Sequence, residues 1–155
     1  MDAAERALLD DAVRGAVAGA QAAAGGAVDG EDTPLDAVLA DLGWLEMLEA
    51  EPRGAVGVVF GALGATNGVA TVLDDVVVAG LGLTPRPDLA VVLPRWGHVG
   101  PAGGASAAGD GVTVEATGLA TARVATAAEV LMVVTTGTGP ALATLPASVL
   151  GADAP

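Results

Sequence analysis

The sequence predicts an α+β protein: an N-terminal helical domain of about four helices, then a small antiparallel β-domain. Three observations carry this. Apolar residues recur at three- and four-residue steps up to about residue 85, and beyond it short β-branched runs alternate with Gly and Pro. Thr84-Pro85-Arg86-Pro87 stands at the change, and each proline pushes the residue before it out of the helical region. Apolar residues are 52% of the 155, enough to build a core in one domain or two small ones. The expected division is a helical domain over 1–84 and a β-domain over 88–150.

The first helix is expected from about Asp2 to Ala24. Asp2 with Glu5 resembles a capping box, Leu8, Leu9, Ala12, Val13, Ala16 and Val17 form the stripe, and Gly25-Gly26 ends it. An acidic connection, Ala27 to Asp32, follows. Thr33 is a good N-cap and Pro34 suits the first helical position. Leu35, Val38, Leu39, Leu42 and Leu45 then give one core-facing stripe, and Pro52 stops this second helix. A third helix is expected over about Arg53 to Ala65 and a fourth over about Val69 to Leu81. Both lack a polar face almost entirely, which predicts burial on more than one side and hence association, with another chain or with further copies of this one.

In the second half, Leu89 to Leu93 reads as a strand. Pro94 to Gly111 is an expected eighteen-residue loop of mostly Gly, Ala and Pro around Trp96 and His98, a length that is usually functional or disordered. Strands are expected over Val112 to Glu115, Leu119 to Val124, Glu129 to Thr136 and Ala141 to Leu145, with Gly137-Thr138-Gly139-Pro140 as a turn.

Composition removes several functions. Net charge is −13 and all six cations are arginines, which gives no phosphate-neutralising surface for nucleic acid. The same charge is repelled by an anionic membrane. Cysteine is absent, so disulfides, thiolate catalysis and Cys-metal sites are excluded, and the single His98 excludes most multi-His metal sites. The missing Lys and Ile read as a GC-rich coding bias. Met1-Asp2-Ala3-Ala4-Glu5-Arg6 is acidic where a signal peptide is basic, so the chain is expected to be cytoplasmic. The uncharged run Gly54 to Leu73 has the length of a membrane span, but its five glycines and polar Thr66, Asn67 and Thr71 argue against one.

Arg95, Trp96 and His98 form the one local cluster with chemical range. Trp can wall a ring, Arg can hold a carboxylate or phosphate, and His can move a proton. The plainer reading is a Trp plugging a core edge beside a surface Arg and His. Asp74-Asp75 invites a metal, but adjacent helical residues face different directions, so helix-surface acids are expected. Gly100 to Gly104 lacks the Lys-Ser/Thr ending of a phosphate loop.

The order of these pieces points to a family. Leu39-Ala40-Asp41-Leu42-Gly43-Trp44-Leu45, then Glu51-Pro52-Arg53-Gly54, then Ala62-Leu63-Gly64-Ala65 resembles the N-terminal helical domain of the acyl-CoA dehydrogenases. Val72-Leu73 through Leu81-Gly82-Leu83 resembles that family's next helix. Gly111 to Gly118 is similar to a hairpin of its middle β-domain, and Ala127-Ala128-Glu129-Val130-Leu131-Met132-Val133-Val134 to its alanine–aspartate–leucine–leucine–valine strand, with Glu129 for the aspartate. The resemblance spans about residues 33 to 136. It implies acyl-CoA as substrate, α,β-desaturation, and FAD as cofactor, with Arg95, Trp96 and His98 as weak candidates for cofactor contact and no catalytic or metal residue assigned.

The departures bear on function. The family's flavin-contacting threonine–glutamate–proline and glycine–serine–aspartate motif should follow Leu93, where Pro94-Arg95-Trp96-Gly97-His98 stands. Its tryptophan–x–threonine/serine–asparagine motif should lie near Ala120 to Ala127, which has neither Trp nor Asn. The C-terminal four-helix bundle, which in the family carries the catalytic glutamate and much of the FAD adenosine and dimer contacts, has no counterpart. Three readings follow: an oxidoreductase component completed by a partner chain, a non-catalytic structural or interaction subunit without FAD, or a truncated reading frame.

Overall fold

Gly43 sits at φ 76°, a left-handed conformation open to glycine, and this one residue decides the layout of the first half. The computed structural model describes residues 3–23, 34–108 and 111–150. They divide into two compact units, Met1–Pro85 and Arg86–Pro155. The chain is α+β, with helices first and strands after. The expected caps at Asp2 and Thr33, and the Gly25-Gly26 stop with its acidic connection, lie outside the described residues.

The first unit holds helices α1 (Ala3–Ala23), α2 (Pro34–Asp41), α3 (Trp44–Ala50), α4 (Pro52–Thr66) and α5 (Leu73–Gly80). Among the described residues five α-helices stand where about four were expected, because the second divides at Leu42-Gly43. The Leu42 N–H still reaches Val38 O, the Gly43 N–H turns back to Ala40 O, and the helix restarts with the Met47 N–H on Gly43 O. The break rotates the stripe. Leu35 and Leu39 are buried, whereas Leu45 is 39% exposed and Trp44 and Leu48 face the core in its place. Asn67, at φ 53°, stops α4, and the Gly68 N–H closes on Leu63 O.

Val13 and Val17 of α1, Leu39 of α2, and Val59 and Ala62 of α4 are fully buried and form the centre of this core. Each such Val or Leu contributes about 1.5–3 kcal/mol on burial. Past its first turn, the exposed positions of α4 are Gly57, Gly61, Gly64 and Ala65. The helix that reads as greasy all round thus leaves mostly backbone and methyl surface outside; Val58, Val59 and Leu63 are inside, and Val56 and Phe60 are half-buried.

Asp74 and Asp75 are 1% and 3% exposed, which corrects the expectation of surface acids. They occupy the first turn of α5, where unpaired backbone N–H groups and the helix dipole favour negative charge. The Trp44 indole N–H donates to Asp75 Oδ2 at 2.9 Å, tying α3 to α5 inside the core. Nearby the Thr71 N–H donates to Asp36 Oδ1 at 2.7 Å, which anchors the approach to α5 on α2.

The second unit is a mixed six-stranded sheet, not the antiparallel one expected. Its strands are β1 (Leu89–Pro94), β2 (Gly103–Ala108), β3 (Gly111–Ala116), β4 (Gly118–Leu119), β5 (Glu129–Thr136) and β6 (Gly139–Pro146). β5 and β6 form a hairpin along their whole length around Gly137-Thr138. On its other edge β5 pairs in parallel first with β1, from Leu89↔Glu129 to Val92↔Met132, and then with β2, at Gly103↔Val134 and Gly104↔Thr135. Two steps along β5, from 132 to 134, therefore match eleven along its neighbour, from 92 to 103. β1 and β2 act as one strand interrupted by a loop. β3 and β4 run antiparallel along the outside of the same pair, β3 on β2 and β4 on β1.

Two expected elements change. The eighteen-residue loop shrinks, because its second half is β2. The strand expected over Leu119 to Val124 ends at Leu119 and gives way to a 3-10 turn, Ala122–Ala125, capped by the Thr121 hydroxyl accepting from the Arg123 N–H. Ala90, Val130, Met132 and Val134 form this unit's core, with Val92, Val114, Val124 and Leu145 packed on it. Arg86 bonds to Glu129 and lies 3.5 Å from Asp88, clamping the starts of β1 and β5; the Glu129 bond is the main reason its guanidinium holds its proton more tightly than usual.

Trp44→Phe keeps an aromatic ring but is smaller than the indole and removes the donor to Asp75, so it combines a small cavity with the loss of a buried hydrogen bond. We expect a loss of about 3 kcal/mol in urea unfolding at pH 7. Gly118 lies where a Cβ would meet Leu93 O at 2.1 Å and Val92 Cγ1 at 2.7 Å, whereas a Cβ on Gly137 meets nothing within 4 Å. Gly118→Ala should cost at least about 2 kcal/mol and Gly137→Ala less than about 0.5 kcal/mol by the same measurement.

Candidate functional site

The interrupted strand places the candidate cluster. Pro94 ends β1 opposite Gly118, and Ala102 is held two ways: its N–H donates to Val133 O and its carbonyl accepts from the Thr117 N–H, both at 3.0 Å. The chain between them, Arg95–Pro101, is extruded as a seven-residue loop whose ends are held side by side. Gly103 is needed at its base, since a Cβ there would lie 2.1 Å from Glu115 O. Gly97 and Gly100, at φ 76° and 138°, make the loop's turns, and the His98 N–H closes one of them on Arg95 O at 2.9 Å.

Under the loop, against β3, lies a concavity of about 590 Å³ lined by Arg95, His98, Ala102, Val114, Glu115, Ala116 and Thr117. The structure thus brings Arg95 and His98 together on one wall and adds Glu115 and Thr117, which sequence reasoning missed. The available signal was the two-residue spacing of Glu115 and Thr117, which puts them on the same side of an extended chain. Trp96 is 94% exposed and takes no part in the lining. It does not plug a core edge; it stands in solvent beside Val99, which is 99% exposed.

The concavity has polar range. A guanidinium, an imidazole and a hydroxyl can grip an anionic or hydrogen-bonding group, and the Glu115 carboxylate sets a negative charge beside them. A flavin ring asks for more: an apolar or aromatic wall and donors along its pyrimidine edge. Here the apolar lining is one valine and two alanines, and the exposed Trp96 indole is not part of it. These residues alone do not fit the ring. No group of three or more His, Asp or Glu arranged to hold a metal occurs among the described residues.

A second hollow, of about 450 Å³, lies in the helical unit between α3, the start of α4 and the segment after α5. Its apolar lining includes Leu45, Leu48, Pro52 and Leu83, and Glu46 and Glu49 stand on it. Leu45 is displaced from the helical stripe by the Gly43 turn, and Leu83 is 42% exposed. Among the described residues no helix is long and apolar enough to cross a membrane.

No family model matches the chain, and neither a curated protein nor a solved structure matches it.

The two tryptophans occupy opposite environments, Trp44 at 2% and Trp96 at 94% exposure. At sub-micromolar concentration, acrylamide should quench a red-shifted half of the intrinsic emission. Trp96→Phe should leave a blue-shifted, quencher-resistant signal. Full quenching in that variant would contradict the Trp44 burial.

Proposed function

We propose that this chain is an acyl-CoA dehydrogenase-like component that does not complete a catalytic centre alone and works with protein beyond these 155 residues. The observation that supports the reading is the convergence of two segments on β1. The Arg95–Pro101 loop follows that strand, and the 3-10 turn Ala122–Ala125 packs against it. These are the segments where the resemblance puts the family's two flavin-contacting motifs. In this reading the assembly desaturates an acyl-CoA thioester between its α and β carbons, FAD supplies the hydride acceptor, and the setting is cytoplasmic.

The contribution of this chain is confined to what its residues offer. Arg95 and His98 can orient an anionic or carbonyl-bearing group from the loop side, and Thr117 can hydrogen-bond it from the strand side. The base that takes the α-proton and the wall for the ring belong to the added protein, so no chemical step is assigned to a residue here. The missing aromatic wall favours a second reading: a structural or interaction subunit of the same descent, without FAD and without catalysis.

Purification of the chain with whatever protein it retains, followed by FAD titration, separates the two. Visible flavin absorbance held by the assembly, with loss of colour on adding an acyl-CoA under anaerobic conditions, is the result expected of the oxidoreductase. A folded, colourless assembly that neither retains nor takes up flavin would overturn it in favour of the interaction subunit.

A further inference from the structure

The Arg95–Pro101 loop has a surface character unlike the rest of the chain. Only 2% of residues are aromatic, yet Trp96 and the neighbouring Val99 stand almost wholly in water. Tryptophan and arginine together are the side chains most enriched where protein interfaces gain their energy. The loop also carries Arg95, one of only six cations on a protein of net charge −13. Its base is rigid, pinned to β5 and β3 on either side of Ala102, so the tip is presented at little entropic cost on docking.

The helical unit carries the complementary surface. Its hollow of about 450 Å³ is apolar through Leu45, Leu48, Pro52 and Leu83, with Glu46 and Glu49 among its lining residues. Leu45 and Leu83 are 39% and 42% exposed, so the apolar lining is open to an incoming side chain. An indole buries about 150–250 Å², and a hollow of this size accepts one.

We propose that the Arg95–Pro101 loop of one copy docks into this hollow on a second copy of the chain. Trp96 enters between Leu45 and Leu83, and Arg95 lies against Glu46 and Glu49. A second copy is the occupant that local charge favours. Two copies of net charge −13 repel at long range, so the contact is selected locally, where Glu46 and Glu49 attract Arg95. The contact is heterologous, loop to hollow, so each copy has one of each to offer. It does not depend on whether flavin binds.

Sedimentation velocity on the full chain, from about 1 to about 200 µM, tests it over the range of weak self-association. The wild type is expected to shift to larger species with concentration. Trp96→Ala and Leu83→Glu should each weaken association by at least about thirtyfold. Mixed together, they should form one-to-one pairs that grow no further, since W96A keeps the hollow and L83E keeps the loop. Far-ultraviolet circular dichroism checks folding. Should L83E not fold, the exposed double variant Glu46→Lys with Glu49→Lys replaces it, and Arg95→Glu should restore its association.

Three results overturn the proposal: a wild type that stays monomeric throughout, W96A associating as tightly as wild type, or folded W96A and L83E failing to pair. Monomers that instead adsorb through Trp96 to phosphatidylcholine vesicles would overturn it in favour of a lipid surface.

Discussion

Strand β5 divides its backbone hydrogen bonds among three neighbours, and the β unit takes its form from that division. One edge is fully taken by β6, through register pairs from Glu129↔Pro146 to Thr136↔Gly139. The other is shared end to end by β1 and β2. Because both lie parallel to β5 in one continuous register, the nine residues 93–101 must leave the β5 edge and return to it. Leu93 and Pro94 find β4 instead, which leaves the seven residues 95–101 to form the loop. The position of Arg95, Trp96 and His98 thus follows from a pairing rule and owes nothing to side-chain contacts within the loop. The Cβ-free approaches at Gly103 and Gly118 let the outer strand close across its base.

In the helical unit a comparable role falls to one side-chain bond. Asp75 is buried in a chain already strongly acidic, a placement that costs free energy unless the carboxylate is hydrogen-bonded. The Trp44 indole supplies a directional donor, and its reach fixes how α3 lies on α5. Trp44 arrives there because Gly43 ends α2 in a left-handed turn and restarts the helix with a new inward face. The same rotation turns Leu45 outward and helps create the apolar hollow. One glycine therefore accounts for both a buried polar bond and an exposed apolar surface.

Fold class was legible in the sequence because period and proline content change together near residue 85. Strand β5 was legible to the residue, since Glu129 to Thr136 is a β-branched run bounded by turn formers. The rest failed for physical reasons that particular residues show. Gly103-Gly104-Ala105-Ser106-Ala107-Ala108 has no strand preference of its own; pairing on both edges, with β3 and briefly with β5, makes it β2. Leu119 to Val124 has that preference, but after Leu119 the Thr121 cap turns the chain away. The buried aspartates were misread because exposure statistics for carboxylates carry no knowledge of a donor thirty-one residues distant. At the candidate site, Arg95 and His98 could be named from the sequence, whereas Glu115 and Thr117 reach the concavity through strand register.

The interrupted strand has a consequence for how this protein can vary. Residues 95–101 connect two points that β5 already holds together, so their number and identity are decoupled from the sheet's register. Lengthening the segment would add only a slowly growing closure entropy, about 0.6 kcal/mol per doubling. The seam is a ready-made grafting port: foreign peptides spliced between Pro94 and Ala102 would be displayed with both stems anchored, on a scaffold indifferent to what they say.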